Sequence, residues 1–243
     1  MKKFKEIMKK IGRYLWEFFK AALPSLLMYC CAGLLILINS TGEKGYKWDG
    51  TSIGWTIGAL VAAAAYNGLM AWHTGGSHYE MLVSGNIQRM SAGQAGGGYK
   101  ISAHKEAKEY RLWKGIVIGV MTSLIAIVFG IILGCMQPQI DVEKTSKGVG
   151  VFVLIAMFVD GWAFIPFYLM SQCGISVSYF MSLLLALLPI IVTGVFYVVG
   201  AYARRSKRLH EQLIAQKQAE AEASKVKKIN YGGLPGTKPK KRK

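Results

Sequence analysis

Three observations predict an all-α, polytopic helical membrane protein. Apolar residues make up 52% of the 243 positions, and the mean hydropathy is +0.30. Charged residues are 18% of the chain, below the roughly 25% of a soluble domain, yet the net charge is +17. The two tendencies are separated along the chain: five long apolar stretches alternate with short neutral or strongly basic segments. This pattern excludes a disordered chain, a collagen-like chain and an ordinary soluble domain.

A hydrocarbon core needs about 20 apolar residues per crossing helix. The stretches 21–39, 51–72, 115–136, 149–170 and 177–202 meet that length, and together they define a membrane domain over 21–202. Trp72 and Trp113 fall at stretch ends, where aromatic belts form.

Before the first stretch, residues 1–20 place Phe4, Ile7, Met8, Ile11, Leu15 and Phe18 at three- and four-residue steps among lysines. This is a basic amphipathic helix suited to the headgroup layer, with anionic lipid as its partner. The following apolar section is as long as a span and no A-x-A site follows it, so the start reads as a retained anchor rather than a secretion signal. The four cysteines form no disulfide framework and read as packing residues.

Charge sets an orientation. Residues 1–20 carry a net +5, 73–114 a net +3 and 201–243 a net +10, while 40–50 and 137–148 are neutral. Excess Lys and Arg marks the cytoplasmic side, so the N-terminus, the 73–114 loop and the tail all belong there, in a multi-pass cell-membrane protein. Five full spans would put the tail on the wrong side. The fourth stretch offers a way out: Asp160-Gly161 is a turn-type pair at its centre and Pro166 follows. It reads either as one straight span or as two half-helices that enter and leave on one side.

The third stretch carries Gly115, Gly119 and Ser123, then Ala126, Gly130 and Gly134, along one helical face. Small residues let helix backbones approach closely where lipid gives no hydrophobic drive, either within the chain or between subunits and copies of it. Gly54 and Gly58 repeat the spacing in the second stretch.

The candidate chemistry is sparse. Asp160 is the charged residue deep in an apolar stretch, and Asn67 is its candidate hydrogen-bonding neighbour. The 73–114 loop holds His73, His78, Glu80 and His104. His73 and His78 are five apart and Gly75-Gly76 predicts a helix break between them, so metal use is not expected and no cofactor is implied. Gly93 and Gly98 have a phosphate-loop gap, but Tyr99 stands where Lys is required. The tail, 203–243, reads as a cytosolic helix that gives way to disorder from about 230, ending in a basic cluster.

The expected function is non-enzymatic: passage of a small solute or ion beside Asp160, or service as a subunit or assembly factor of a membrane complex. Two alternatives remain. One is a membrane enzyme with a cytosolic-face site built from His73, His78, Glu80 and His104. The other is a tether that recruits nucleic acid or a ribosome through the basic tail.

Overall fold

The computed structural model describes residues 2–42, 45–94, 108–140 and 147–230. Helix α1 (Lys2–Ser40) runs unbroken from the basic segment through the first apolar stretch. Two two-residue strands, β1 (Thr41–Gly42) and β2 (Gly45–Tyr46), pair antiparallel and lead to α2 (Gly50–Gln94). Asp49 opens α2: its Oδ1 accepts the Ser52 N–H at 2.8 Å, meeting an amide that a helix start leaves without an intrahelical partner. The hydrogen bonds from Ser52 hold the Asp49 carboxyl below the usual carboxylate range.

The expected break at Gly75-Gly76 does not occur; α2 passes through both glycines and on to Gln94, well into the segment expected as a loop. The reason is tertiary. A Cβ on Gly75 would collide with the Tyr197 carbonyl, and one on Gly200 would collide with the Trp72 carbonyl. The two helices touch at backbone level, and the glycines serve that approach rather than a turn.

Helix α3 (Leu112–Ile140) contains the third apolar stretch. Next come α4 (Lys147–Val159), α5 (Gly161–Gln172), a 3-10 turn (Tyr179–Met181) and α6 (Ser182–Asn230). The chain divides into a unit over Met1–Ala201 and a second over Tyr202–Lys243. Among the described residues, four helices are long and apolar enough to cross a membrane: α1, α2, α3 and α6 with its 3-10 turn. Their outward residues include Ile38, Ile57, Val61, Val128, Leu184 and Ile191, all exposed. Exposed aliphatics on this scale suit lipid rather than water.

Stretch 149–170, expected as a fifth membrane-embedded segment, is not one helix. Asp160 divides it into α4, with 13 residues, and α5, with 12. At 1.5 Å per residue each is about 20 Å long, short of a ~30 Å hydrocarbon core. From Gly161 to Pro166 every residue of α5 is buried, which makes it the centre of the packing. Trp162, Phe164, Ile165 and Leu169 join Tyr29, Ile36, Leu133 and Tyr179 in one apolar core.

Contacts order the two ends of the Met1–Ala201 unit. At one end Phe18 meets Trp113 with ring centroids 5.8 Å apart, and Gly75 and Gly115 both lie against Tyr197. At the other, Tyr46 meets Tyr168 at 5.6 Å, and Gln137 near the end of α3 bonds the chain after α5. The chain after α5 returns to that second end, where Gln137 donates to Val177 O at 2.8 Å and accepts from Tyr179 N at 3.0 Å. The Phe129–Phe152 stack, at 5.4 Å, places α4 alongside α3.

The predicted small-residue face of α3 is buried throughout. Gly115 abuts the Tyr197 ring, Gly119 the backbone of Pro189 and Ile190, Gly130 Ser182 and Leu183, and Gly134 Phe180. The face therefore packs within the chain, against the 3-10 turn and α6. Gly54 and Gly58 on α2 have open space where a Cβ would stand.

These two groups of glycines respond oppositely to a methyl. Gly75→Ala and Gly200→Ala are each expected to lower stability by about 1–3 kcal/mol, the usual range for overpacking. Gly54→Ala and Gly58→Ala are expected to be neutral or to stabilise by up to about 1 kcal/mol through helix propensity. Thermal unfolding of the four variants in detergent micelles checks the contrast.

Candidate functional site

Asp160 sits where α4 stops and α5 starts. Its N–H donates to Ala156 O at 2.8 Å, closing α4, and its carbonyl accepts from Ala163 N and Phe164 N, both at 3.1 Å, opening α5. The residue itself leaves helical geometry at φ −121°, ψ 17°. The following Gly161 has a physical role: α1 crosses here through Gly33, and a Cβ on Gly33 would stand 2.5 Å from Trp162 N and 2.7 Å from Gly161 C. Cys30 donates its thiol to Val159 O at 3.3 Å, and Tyr29 meets Trp162 at 4.5 Å between ring centroids. Residues 29–33 of α1 thus brace the helix break on both sides of Asp160. Gly33 lies seven residues before Ser40, so the break lies about 10 Å below the end of α1.

The Asp160 side chain is 0% exposed, and neither carboxylate oxygen has a hydrogen-bond partner among the described residues. Asp160 is placed at the break as an N-cap, but it makes no side-chain cap bond. Asn67, its expected neighbour, is engaged elsewhere: its Nδ2 donates to Pro189 O at 3.4 Å and its Oδ1 accepts from Thr193 Oγ1 at 3.1 Å. Asn67 therefore ties α2 to α6, and Tyr29 presents its hydroxyl toward it from α1.

The His-bearing segment lies at the opposite end. His73 is exposed on α2, Glu80 is half-buried, and His104 lies outside the described residues. His78 shares a hydrogen bond between its Nδ1 and the Tyr197 hydroxyl at 2.9 Å. Tyr197 is completely buried and stacks on Tyr110 at 5.4 Å. Tyr110 N donates to His78 O at 3.0 Å, which draws the chain before α3 back onto α2. Arg89 reinforces this by donating to Glu109 Oε1 at 2.6 Å. Lys114 is also fully buried; its Nζ donates to Glu109 O at 2.7 Å and lies 5.6 Å from the Tyr14 ring centroid.

Of the four residues of the enzyme alternative, the three that are described, His73, His78 and Glu80, form no group that could hold a metal ion. Among the described residues no group of three or more His, Cys, Asp or Glu converges in a way that suits a metal ion. Sequence reading missed Tyr197, Tyr110 and Lys114, because at stretch ends they look like ordinary belt and flank residues. One clue was available: Gly75 and Gly200, read as a pair on facing helices, point to a close crossing beside Tyr197. The glycines of the phosphate-loop gap and the basic cluster at the end of the tail lie partly or wholly outside the described residues.

No family model, no curated protein and no solved structure matches the chain.

The His78–Tyr197 bond joins α2 to α6 without involving Asp160. Tyr197→Phe keeps the ring stacked on Tyr110 but leaves the His78 nitrogen without this partner. The expected loss is about 1–3 kcal/mol of stability, the cost of an unsatisfied buried polar group. Unchanged unfolding of this variant in micelles would show the bond to be idle.

Proposed function

We propose that the chain is a non-enzymatic, multi-span membrane protein in which α4 and α5 form a re-entrant hairpin, and that Asp160 at the hairpin tip binds and passes a proton. The observation that carries this reading is a fully buried carboxylate, without a hydrogen-bond partner among the described residues, at a helix break. An unpaired carboxylate deep in hydrocarbon costs ~2.5–3.5 kcal/mol on insertion scales. Retaining it in a neutral, proton-holding form lowers that cost. A metal cation would require several oxygen ligands around it, and no second acidic side chain among the described residues joins Asp160 in a metal-holding group. A proton requires one oxygen.

The hairpin also supports an orientation. Four crossings return the chain at Ala201 to the side from which α1 enters. The +5, +3 and +10 segments then share that side, as the cytoplasmic location of excess Lys and Arg requires. The enzyme alternative lacks a comparable observation, since His78 is committed to Tyr197 and His73 stands apart on the surface.

Two measurements test this. A membrane-impermeant maleimide should label Cys173 and a Lys147→Cys variant from the same face of sealed vesicles; labelling from opposite faces overturns the hairpin. In proteoliposomes under an imposed pH gradient, the protein should conduct protons, and Asp160→Asn should fold normally and reduce flux to the protein-free level. No wild-type flux, or equal flux in the variant, overturns the role of Asp160.

A further inference from the structure

Between the first half of α1 and the start of α3 lies an open groove of about 500 Å³, within the size range of small-ligand sites. Ile7, Ile11 and Leu15 line it from α1, and Trp113 and Val117 from α3. Phe18, also in the lining, meets Trp113 at 5.8 Å between ring centroids and joins the two walls. Arg111 belongs to the same lining, and among the described residues no acidic side chain does. We propose that this groove binds an anionic phospholipid, with an acyl chain along the apolar walls and the phosphate at the Arg111 guanidinium. The proposal rests on the membrane-spanning reading above.

The lining is graded in polarity along α3. Arg111 stands just before the helix begins at Leu112, and Val117 lies about 8 Å further along it. The third apolar stretch opens at Gly115, so the cation is at its polar edge and Val117 is inside it. Trp113 lies between them, at the level where an indole sits between chains and headgroups. An amphiphile with its head at Arg111 and its chain toward Val117 meets a matching surface at both ends. On the opposite wall Ile7, Ile11 and Leu15 are all exposed, and a chain in the groove covers them.

The cation in this lining is available. Arg111 is exposed, and among the described residues its guanidinium enters no hydrogen bond or ion pair. Its neighbours are committed: Lys114 Nζ donates to Glu109 O at 2.7 Å, and Lys108 lies 4.0 Å from Glu17. Glu17 in turn has Lys20 at 3.9 Å as a second counter-charge. Arg111 therefore offers a planar fork of donors that complements a phosphate.

Charge also selects lipid over another part of this protein. The segments assigned to this side carry +5, +3 and +10. A second copy or the tail would bring more positive charge to Arg111. The anionic lipids of a cytoplasmic leaflet bring the opposite sign, on molecules that carry their own apolar chain.

The experiment is tryptophan quenching in vesicles by phospholipids with brominated chains, comparing phosphatidylglycerol with phosphatidylcholine and reading the component lost in Trp113→Phe. Both lipids should quench the overall emission; failure of both overturns the membrane reading itself. The Trp113 component should be quenched preferentially by phosphatidylglycerol. Arg111→Gln should lower that preference about five-fold, the effect of one basic residue at an anionic surface. Ile11→Glu, which sets a carboxylate at an exposed position of the lining, should abolish it. Arg13→Gln removes the same charge from an exposed position outside the lining and should leave the preference intact. Equal quenching of Trp113 by the two lipids overturns the site. So does an equal loss in Arg111→Gln and Arg13→Gln, which would assign the attraction to the basic surface as a whole. A Trp113 shielded from both lipids while the overall emission is quenched also overturns it, and gives the groove to protein.

Discussion

A helix that stops inside hydrocarbon leaves amides and carbonyls with nothing to bond, and lipid offers them no replacement for water. In a bilayer, the break at Asp160 would place that demand on the rest of the Met1–Ala201 unit. Asp160 answers part of it with its own backbone, ending α4 and starting α5 through three hydrogen bonds. The remainder is answered by cover: α5 is buried on every side over its first half, and α1 closes on it at Gly33. The long helices can be seen as the wall that makes this short buried helix tolerable. Their outward faces are aliphatic, which suits a bilayer rather than water.

Close backbone approach is the second requirement, and it follows from the first. Without a hydrophobic drive between helices, packing must come from contact area and from hydrogen bonds between side chains. Glycines supply the contact at three places: Gly33 against α5, Gly75 and Gly200 between α2 and α6, and the α3 face against α6. Polar links then fix α6 at two levels, Asn67–Thr193 within the span and His78–Tyr197 toward the end. Links of this kind are individually modest, but they set which face of each helix meets its neighbour.

How much of this was legible in the sequence depends on which distance scale carried the signal. The apolar stretches and the small-residue face of α3 are periodic over many residues, and the helices that contain them are long. Asp160-Gly161 announced a break through turn chemistry alone, and the break is there. Gly75-Gly76 made the same local announcement and was wrong, because a contact 122 residues away, at Tyr197, decides what Gly75 is for. The pairing of Asn67 with Asp160 failed for a similar reason: Asn67 is taken up by the carbonyl of Pro189 and by Thr193. No local pattern in the sequence encodes either partnership.

The two conspicuous polar features of this unit lie at opposite levels, and their chemistry differs accordingly. At the level of Tyr197, Tyr110 and Lys114, buried polar groups find partners in one another and in backbone carbonyls, as buried polar groups in stable structures do. At Asp160 the oxygens have none among the described residues, although backbone and ring contacts brace both flanks of the residue. A fold able to satisfy a fully buried lysine has the means to place a donor beside a carboxylate. The proposed proton role draws on that contrast: an acid kept without a protein donor would retain its capacity to take up and release a proton, which a hydrogen bond from a fixed neighbour would restrict.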